Sequence, residues 1–281
     1  MFLNFGNQSK RSIINLQEEA YSMSIRLEKV FARYSGTTIL HNVDLNLNGR
    51  DIILGPNGSG KTTLFRTILG VNVHSEGRIE IDGVDVKKIK GTAGILATNL
   101  DEVYDLLRIP IRDVAKLYLE LGKGDFSRFL SMVEEFEAFN ALNKRLDELS
   151  AGQRRIVCNL IALAMNTKYV LLDEPFENMD PARRVKMARI IMDWNGGIVM
   201  NTHATWLLDK FSDWQAHLMF HGKAYGPMKV NDLLDARIVE GQRENALNFK
   251  IRERSFSLVS GKQGIRLTEM ESLDRLFEVG L

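Results

Sequence analysis

The sequence lacks three features, and each absence excludes a class of protein. Cys158 is the single cysteine among 281 residues, so neither an internal disulfide nor a zinc site built from cysteines can form. No apolar run approaches the ~20 residues that cross a bilayer, so we do not expect the chain to form a channel or transporter by itself. No sign of charge dominates, because 37 lysines and arginines face 36 aspartates and glutamates, which argues against a dedicated nucleic-acid-binding protein.

The chain divides into an extension, a main domain and an appendage. Residues 1–23 are polar where a signal peptide needs an apolar core, so we interpret them as an N-terminal extension that could be disordered. Residues 24–235 are expected to form the main domain, with a helical insertion at 98–155. Residues 236–281 are expected to add a strand at Phe256–Val259 and a helix at Glu269–Phe277.

Buried strands that alternate with helices indicate an α/β architecture. Asp51–Leu54, Tyr169–Leu172 and Ile198–Met200 are short apolar runs, typical of a parallel sheet covered on both faces. A helix is predicted over Lys61–Leu69 and is expected to stop at Gly70.

Residues 55–62 match the pattern G-x-x-x-x-G-K-[ST], placed between a buried strand and a helix. The glycines let backbone N–H groups converge on phosphate oxygens, and the start of the helix adds its positive end. Lys61 supplies a cation for the β- and γ-phosphates, and the Thr62 hydroxyl is a suitable ligand for Mg²⁺. This segment therefore predicts a nucleotide phosphate site, rather than a plain glycine-rich turn.

Two carboxylates, Asp173 and Glu174, follow the buried strand Tyr169–Leu172. Ligands bind at the strand ends of open α/β sheets, so we expect Asp173 to serve Mg²⁺, directly or through water, and Glu174 to hold the attacking water. The alternative is that acidic residues simply mark the loop after a strand.

The segment Leu149–Arg155 lies between these two motifs and reads Leu-Ser-Ala-Gly-Gln-Arg-Arg. By itself it is a helix cap followed by a helix. In this order along the chain it resembles the LSGGQ signature of the ATP-binding cassette (ABC) family, and the resemblance spans about residues 24–225. It implies a P-loop NTPase with a RecA-like core, an antiparallel β subdomain and the inserted helical subdomain.

The resemblance also implies roles for single residues. Tyr34 looks like the aromatic residue that stacks on adenine, Asp180 resembles the loop that reaches across a dimer, and His203 resembles the switch histidine at the γ-phosphate. The candidate catalytic residues are Lys61, Glu174 and His203, and the candidate Mg²⁺ ligands are Thr62 and Asp173. The candidate nucleotide-binding residues are Tyr34, Gly55, Asn57, Gly58, Ser59, Gly60, Lys61, Thr62, Thr63, Ser150, Gly152, Gln153 and Asp180.

The family resemblance implies an ATPase subunit of a transporter. Two such subunits, identical or different, would pair head to tail around Mg-ATP and drive a separate membrane permease at the cytoplasmic face of the cell membrane. Nucleic acid is not an expected partner. The surface that contacts the permease is expected on the helical insertion around Leu106–Leu121, because Leu106, Leu107, Ile109 and Ile111 flank Pro110 as a candidate exposed apolar patch.

The sequence departs from the family pattern at two positions, and, on separate grounds, an alternative function stays open. Ala151 replaces the first glycine of the signature, and Thr98 or Asn99 stands where the family has a glutamine that senses Mg²⁺ and water. A second function is a cassette ATPase that remodels a soluble protein assembly instead of moving a solute. A GTPase is disfavoured, because Asn143–Leu146 lacks the aspartate of a guanine-binding motif.

Overall fold

The computed structural model describes residues 23–34, 36–71, 74–269 and 273–274. The predicted N-terminal extension, apart from Met23, and most of the predicted helix Glu269–Phe277 lie outside these residues. The α/β class is confirmed, because a mainly parallel sheet is flanked by helices and by two antiparallel sheets.

The strands and helices follow the predicted order along the chain. The strands are β1 (Ile25–Tyr34), β2 (Thr37–Leu47), β3 (Arg50–Leu54), β4 (His74–Ile81), β5 (Val84–Asp85), β6 (Leu96–Thr98), β7 (Tyr169–Asp173), β8 (Gly197–Thr202), β9 (Gln215–Phe220), β10 (Lys223–Lys229), β11 (Arg237–Glu240), β12 (Leu247–Ile251), β13 (Arg254–Val259) and β14 (Ile265–Arg266). The helices are α1 (Lys61–Leu69), α2 (Val86–Ile89), α3 (Asp101–Tyr104), α4 (Ile111–Leu121), α5 (Phe126–Glu135), α6 (Ala151–Ala164), α7 (Pro181–Met192) and α8 (Val230–Asp235). The helix predicted at Lys61–Leu69 is confirmed with its stop, since Gly70 caps α1 in the left-handed conformation.

The central sheet has the strand order β10-β9-β3-β8-β7-β6. Its strands are parallel except β10, which pairs antiparallel with β9. Because parallel strands end at the same edge, the carboxyl ends of β3, β7 and β8 lie side by side. Leu54 of β3 aligns with Thr202 of β8, and Asp173 of β7 aligns with Asn201 of β8.

The central sheet separates two apolar cores. Side chains of successive strand residues point to opposite faces, so Ile52 and Leu54 join one core while Ile53 joins the other. The first core contains the helical insertion, and the second is closed by α1 and the antiparallel sheet β2-β1-β4-β5. This arrangement explains why the central strands are apolar on both faces.

The helical insertion packs through amphipathic helices against α6, which in turn contacts β6 and β7 of the central sheet. α4 buries Ile111, Val114 and Leu119, and α5 buries Phe129 and Val133. Across the part of the chain that the structure covers, no helix combines the length and apolar character that a membrane span needs.

The C-terminal region forms a third sheet, with the order β12-β13-β11-β14. The sequence predicted the strand β13 but missed β11, β12 and β14. Phe249 of β12 lies between rings of two other sheet strands, stacked on Phe220 at 4.9 Å and on Phe256 at 5.8 Å between ring centroids. Because Phe220 belongs to β9 of the central sheet, this stack joins the two sheets.

We predict that Phe249→Ala lowers the free energy of unfolding by about 3–5 kcal/mol, because it removes a ring that is 2% exposed and leaves a cavity between the sheets. Urea denaturation of the full chain measures this loss. The control Phe139→Ala removes a ring that is 47% exposed and should cost less than about 1 kcal/mol. Equal losses in the two variants would contradict the proposed role of the stack.

Candidate functional site

The loop between β3 and α1 has the conformation of a phosphate cradle. Gly58 and Gly60 have φ angles of 74° and 105°, in the left-handed region that favours glycine. α1 begins directly at Lys61, and the first N–H groups of a helix have no carbonyl partner within it. The Ser59 hydroxyl is buried in the loop and makes no hydrogen bond to any described residue. These donors together suit an anion.

Lys61 lies inside the cradle and is only 5% exposed. Its ammonium donates to the carbonyl oxygens of Gly55 at 2.7 Å and Pro56 at 3.1 Å. Its Nζ also lies 3.3 Å from Oε1 of Glu174. A buried cation needs such partners, because an unpaired charge is costly to desolvate. Lys61 is therefore held in the cradle, and its ammonium also contacts Glu174, the residue that follows β7.

Thr62 and Asp173 form a pair of oxygen donors at the edge of the sheet. Thr62 Oγ1 donates a hydrogen bond of 2.8 Å to Oδ1 of Asp173. Thr62 lies in the first turn of α1 and Asp173 ends β7, so this bond joins the cradle after β3 to β7, on the far side of β8. Hydroxyl and carboxylate oxygens are the ligands that Mg²⁺ prefers, and the two side chains therefore fit a magnesium site.

Glu174 contacts both Lys61 and His203. Its Oε1 lies 2.9 Å from His203 Nδ1, and its Oε2 accepts the backbone N–H of His203 at 3.3 Å. Glu174 itself has a φ of 42°, an uncommon value for a residue other than glycine. Both oxygens of the carboxylate are thus held by the loop that follows β8.

These contacts change the acidity of the pair. Burial raises the pKa of Glu174, but His203 and Lys61 together outweigh burial, so the pKa lies below its ordinary value of 4.5. The contact with Glu174 raises the pKa of His203 above its ordinary value of 6.5, against the opposing effect of burial. The structure therefore favours an ionised Glu174 beside a protonated His203.

Asn99 is one of the two residues, with Thr98, that the sequence offers in place of the family's glutamine. It is fully buried, and its side chain exchanges hydrogen bonds with the backbone of Asp173 at 2.9 and 2.7 Å. Its Nδ2 also donates to Asn159 Oδ1 at 2.6 Å. Thr98 is buried too, and its hydroxyl accepts the N–H of Leu100 at 3.3 Å. Asn99 therefore supports the end of β7 through hydrogen bonds to the backbone of Asp173, and these bonds, with the one to Asn159, use its side-chain amide.

Two further residues at this strand end escaped the sequence analysis. Arg155 of α6 donates to the Asp173 carbonyl oxygen at 2.9 Å and lies 3.2 Å from Glu177 Oε2. Asn201 of β8 is fully buried and bonds to both Asp173 and Glu174. An amide inside an otherwise apolar strand was the signal that could have identified Asn201, since buried polar groups need partners.

Tyr34 lies at the end of β1, half-buried, with Arg66 against its ring. The Arg66 guanidinium carbon is 4.9 Å from the ring centroid, within the range of a cation–π contact. The same guanidinium donates two hydrogen bonds of 2.8 Å to Glu102. Arg66 thereby links the predicted adenine-stacking residue to the start of the helical insertion.

The signature residues form the exposed start of α6. Ser150 caps the helix by accepting the N–H of Gln153 at 3.3 Å, and Gln153 Oε1 accepts the Ser150 N–H at 3.2 Å, which is a capping box. Gly152 packs closely on the next loop, because a Cβ there would lie 2.5 Å from the carbonyl oxygen of Asn178.

Asp180 has an equally local role at the start of α7. Its carboxylate caps the helix through the Arg183 N–H at 2.9 Å, and this bond lowers the pKa of Asp180. The hydrogen bonds of Ser150 and Asp180 thus stay within their own helix starts, unlike those of the cluster around Lys61.

A carboxylate near the C-terminus contacts the cradle, which the sequence analysis did not foresee. Asp274 accepts the backbone N–H of Asn57 at 2.6 Å and the Asn57 side-chain amide at 3.1 Å. The preceding residue, Leu273, is fully buried and donates its N–H to the His203 carbonyl oxygen at 3.2 Å. Residues 273 and 274 therefore bridge the cradle and the His203 loop.

Comparisons with known proteins agree with this geometry. The family described as ABC transporter matches residues 40–177. The chain is 32% identical over 187 residues to the lipopolysaccharide export system ATP-binding protein LptB of Escherichia coli K12, covering 60% of this chain and 76% of that protein. It is 31% identical over 192 residues to the biotin transport ATP-binding protein BioM of Rhodobacter capsulatus, covering 64% of this chain and 80% of that protein.

A solved structure of an ATP-binding protein named for cobalt transport (cbiO-2) resembles most of the fold. Its TM-score is 0.82 at 36% identity, and the match covers 91% of this chain and 99% of that chain. The similarity thus extends through the C-terminal sheet as well as the nucleotide site. From these matches and from the cluster around Lys61, we conclude that the chain belongs to the ABC transporter family, as an ATP-binding subunit that hydrolyses ATP.

Proposed function

We propose that the chain works as one of two ATPase subunits that pair head to tail around Mg-ATP and drive a separate membrane permease. In that arrangement it would lie at the cytoplasmic face of the cell membrane. The observation that carries the proposal is that two sets of contacts lie at one edge of the sheet: Thr62 with Asp173, and Glu174 with both Lys61 and His203. This cluster supplies a cation, metal ligands and a carboxylate base, the parts that transfer of a phosphoryl group to water requires.

Each residue of the cluster has a role that its position supports. The backbone N–H groups of residues 57–63 and the Lys61 ammonium would bind phosphate oxygens. Thr62 and Asp173 would hold Mg²⁺, which supplies Lewis-acid stabilisation of the phosphate charge. Adenine would stack on the face of Tyr34 opposite Arg66.

Glu174 would act as the general base that accepts a proton from the attacking water. Its lowered pKa keeps the carboxylate ionised, as a base must be. Without nucleotide, Lys61 and His203 compensate this charge. The γ-phosphate is a stronger anionic partner for both cations, so its arrival would draw them away and leave the carboxylate to the water.

The second subunit would contribute Ser150, Gly152 and Gln153 to the γ-phosphate. Ser150 is exposed, and its oxygen accepts the cap bond, so the hydroxyl hydrogen remains available as a donor. The start of α6 adds the positive end of a helix of 14 residues. Asp180, which is also exposed, would lie along the same contact between subunits.

The permease would contact the helical insertion before α4. Leu106 is 77% exposed and Leu107 is 41% exposed, although Ile111 of the expected patch is fully buried in the subunit. The exposed pair lies next to α3, which carries Glu102, the partner of Arg66. A permease bound there would be connected to the adenine side of the site through this ion pair.

We predict that Glu174→Gln retains Mg-ATP binding but slows turnover by about 10²–10⁴-fold, because the variant loses the general base. It should also accumulate as an ATP-dependent dimer, which size-exclusion chromatography with light scattering measures. Glu177→Gln is the matched control, since this exposed carboxylate of the same loop should leave turnover within about threefold. Wild-type turnover in Glu174→Gln would falsify the assigned role.

We predict that the same Glu174→Gln substitution lowers the pKa of His203, measured by NMR titration of the nucleotide-free chain. Because the His203 pKa is raised, its contribution to stability is complete below 6.5 and is lost as the pH rises through the raised value. The Glu174 contribution is complete above 4.5 and is lost as the pH falls. The pair should therefore stabilise the chain most between these values. An unchanged His203 titration in the variant would show that the two groups are not coupled.

We predict that Asp274→Asn raises ATP affinity about three- to tenfold, equivalent to about 0.7–1.4 kcal/mol. The substitution removes a negative charge that accepts hydrogen bonds from Asn57, a residue of the proposed cradle. Titration calorimetry measures the change, and Asp232→Asn, an exposed carboxylate on α8, is the control. An affinity equal to that of the control would mean that phosphate and Asp274 do not compete.

A further inference from the structure

Asn201 stands out because its amide bonds to the carboxylate of Asp173 and to the backbone N–H of Glu174. It lies on β8, where the residues from Gly197 to Thr202 are all buried. A strand of this kind is normally apolar, since a buried amide is unfavourable unless its hydrogen bonds are made. The position of Asn201 opposite Asp173 in the sheet register brings the amide to the catalytic edge.

The donor side of the amide holds Asp173. Nδ2 of Asn201 donates to Asp173 Oδ1 at 2.6 Å. The same oxygen accepts the Thr62 hydroxyl at 2.8 Å, so α1 and β8 hold the carboxylate from two directions. Because an amide is neutral, it fixes the rotation of Asp173 without adding a charge that would compete for the metal.

The acceptor side of the amide holds Glu174. Oδ1 of Asn201 accepts the Glu174 backbone N–H at 3.1 Å, and the Asn201 carbonyl oxygen lies at the same distance from that N–H. Glu174 has the left-handed φ of 42°, a conformation that persists only when the surroundings hold it. The side chain of Asn201 therefore supports the turn that directs Glu174 toward Lys61 and His203.

We propose that Asn201 is a positioning residue that sets the Mg²⁺ affinity through Asp173 and the rate of hydrolysis through Glu174. The inference rests on the proposed function, because it assumes that Asp173 binds the metal and that Glu174 is the base. Partners that orient metal ligands typically change metal affinity or activity by about 10–100-fold when they are removed. The amide of Asn201 makes such a contact, although it touches neither nucleotide nor water in this proposal.

The test uses Asn201→Val in the full chain, since valine suits a buried strand and removes both hydrogen bonds. Binding of a fluorescent ATP analogue is titrated with Mg²⁺ and, separately, measured in EDTA. We expect the Mg²⁺ concentration at half-maximal binding to rise about 10-fold or more, with affinity in EDTA within about twofold. At saturating Mg²⁺, kcat should fall because the Glu174 side chain loses its fixed orientation. KM for ATP should change little, because phosphate binding is retained.

Ser257→Ala is the control. Ser257 is also fully buried and bonded through its side chain, to the Gly241 carbonyl oxygen at 2.7 Å, but it belongs to β13 of the C-terminal sheet. It should lower the thermal stability of the chain as Asn201→Val does, yet leave the Mg²⁺ requirement within about twofold. Should Asn201→Val not fold, Asn201→Ser provides the same test, because serine ends one atom short of the amide nitrogen.

The outcomes separate this inference from the proposed function. If Asp173→Asn abolishes the Mg²⁺ dependence while a folded Asn201 variant keeps the wild-type Mg²⁺ requirement and kcat, the inference is overturned and the proposed function stands. If Asp173→Asn itself leaves the Mg²⁺ dependence unchanged, the proposed metal site fails and the inference fails with it. An equal shift in Ser257→Ala would also overturn the inference, because the loss of any buried polar side chain would then suffice.

Discussion

The site depends on one constraint: the buried charges at one edge of the central sheet must be paired with one another. Lys61, Asp173 and Glu174 are largely removed from water, and an unpaired charge there would cost several kcal/mol. The chain's own groups offset this cost, through the contacts of Glu174 with Lys61 and His203. In the proposed function, Lys61 and His203 are also the groups that a phosphate would attract most strongly.

Two neutral amides and one guanidinium group hold Asp173 within this charged cluster. Asn99 holds the backbone of Asp173, Asn201 holds its carboxylate, and Arg155 bonds to its carbonyl oxygen. Each of these residues comes from a different element, namely the segment after β6, strand β8 and helix α6. The position of Asp173 therefore depends on the packing of the helical insertion, which connects that insertion to this candidate Mg²⁺ ligand.

Much of the site could be predicted because its residues are consecutive in the sequence. The cradle at residues 55–62, the pair Asp173 and Glu174, and the start of α6 are local patterns with recognisable flanking elements. The contacts of Asn201 and Asp274 could not be predicted from local patterns, because their partners lie 28 and 217 positions away in the sequence. The same reason explains why β11, β12 and β14 were missed, since short strands of mixed polarity become evident only when paired.

The contact of Asp274 with the cradle connects the C-terminal region to the nucleotide site by charge. Its carboxylate uses the Asn57 N–H, a donor that phosphate oxygens would also use, and it helps to raise the pKa of His203. Leu273 binds the His203 loop at the same time. A γ-phosphate would therefore disturb one end of this bridge at Asn57 and the other at His203. In the proposed pair of subunits, the signature of the second subunit would approach the same phosphate. Asp274 and that signature would then compete for one position, and ATP binding would favour the signature by displacing the Asp274 carboxylate.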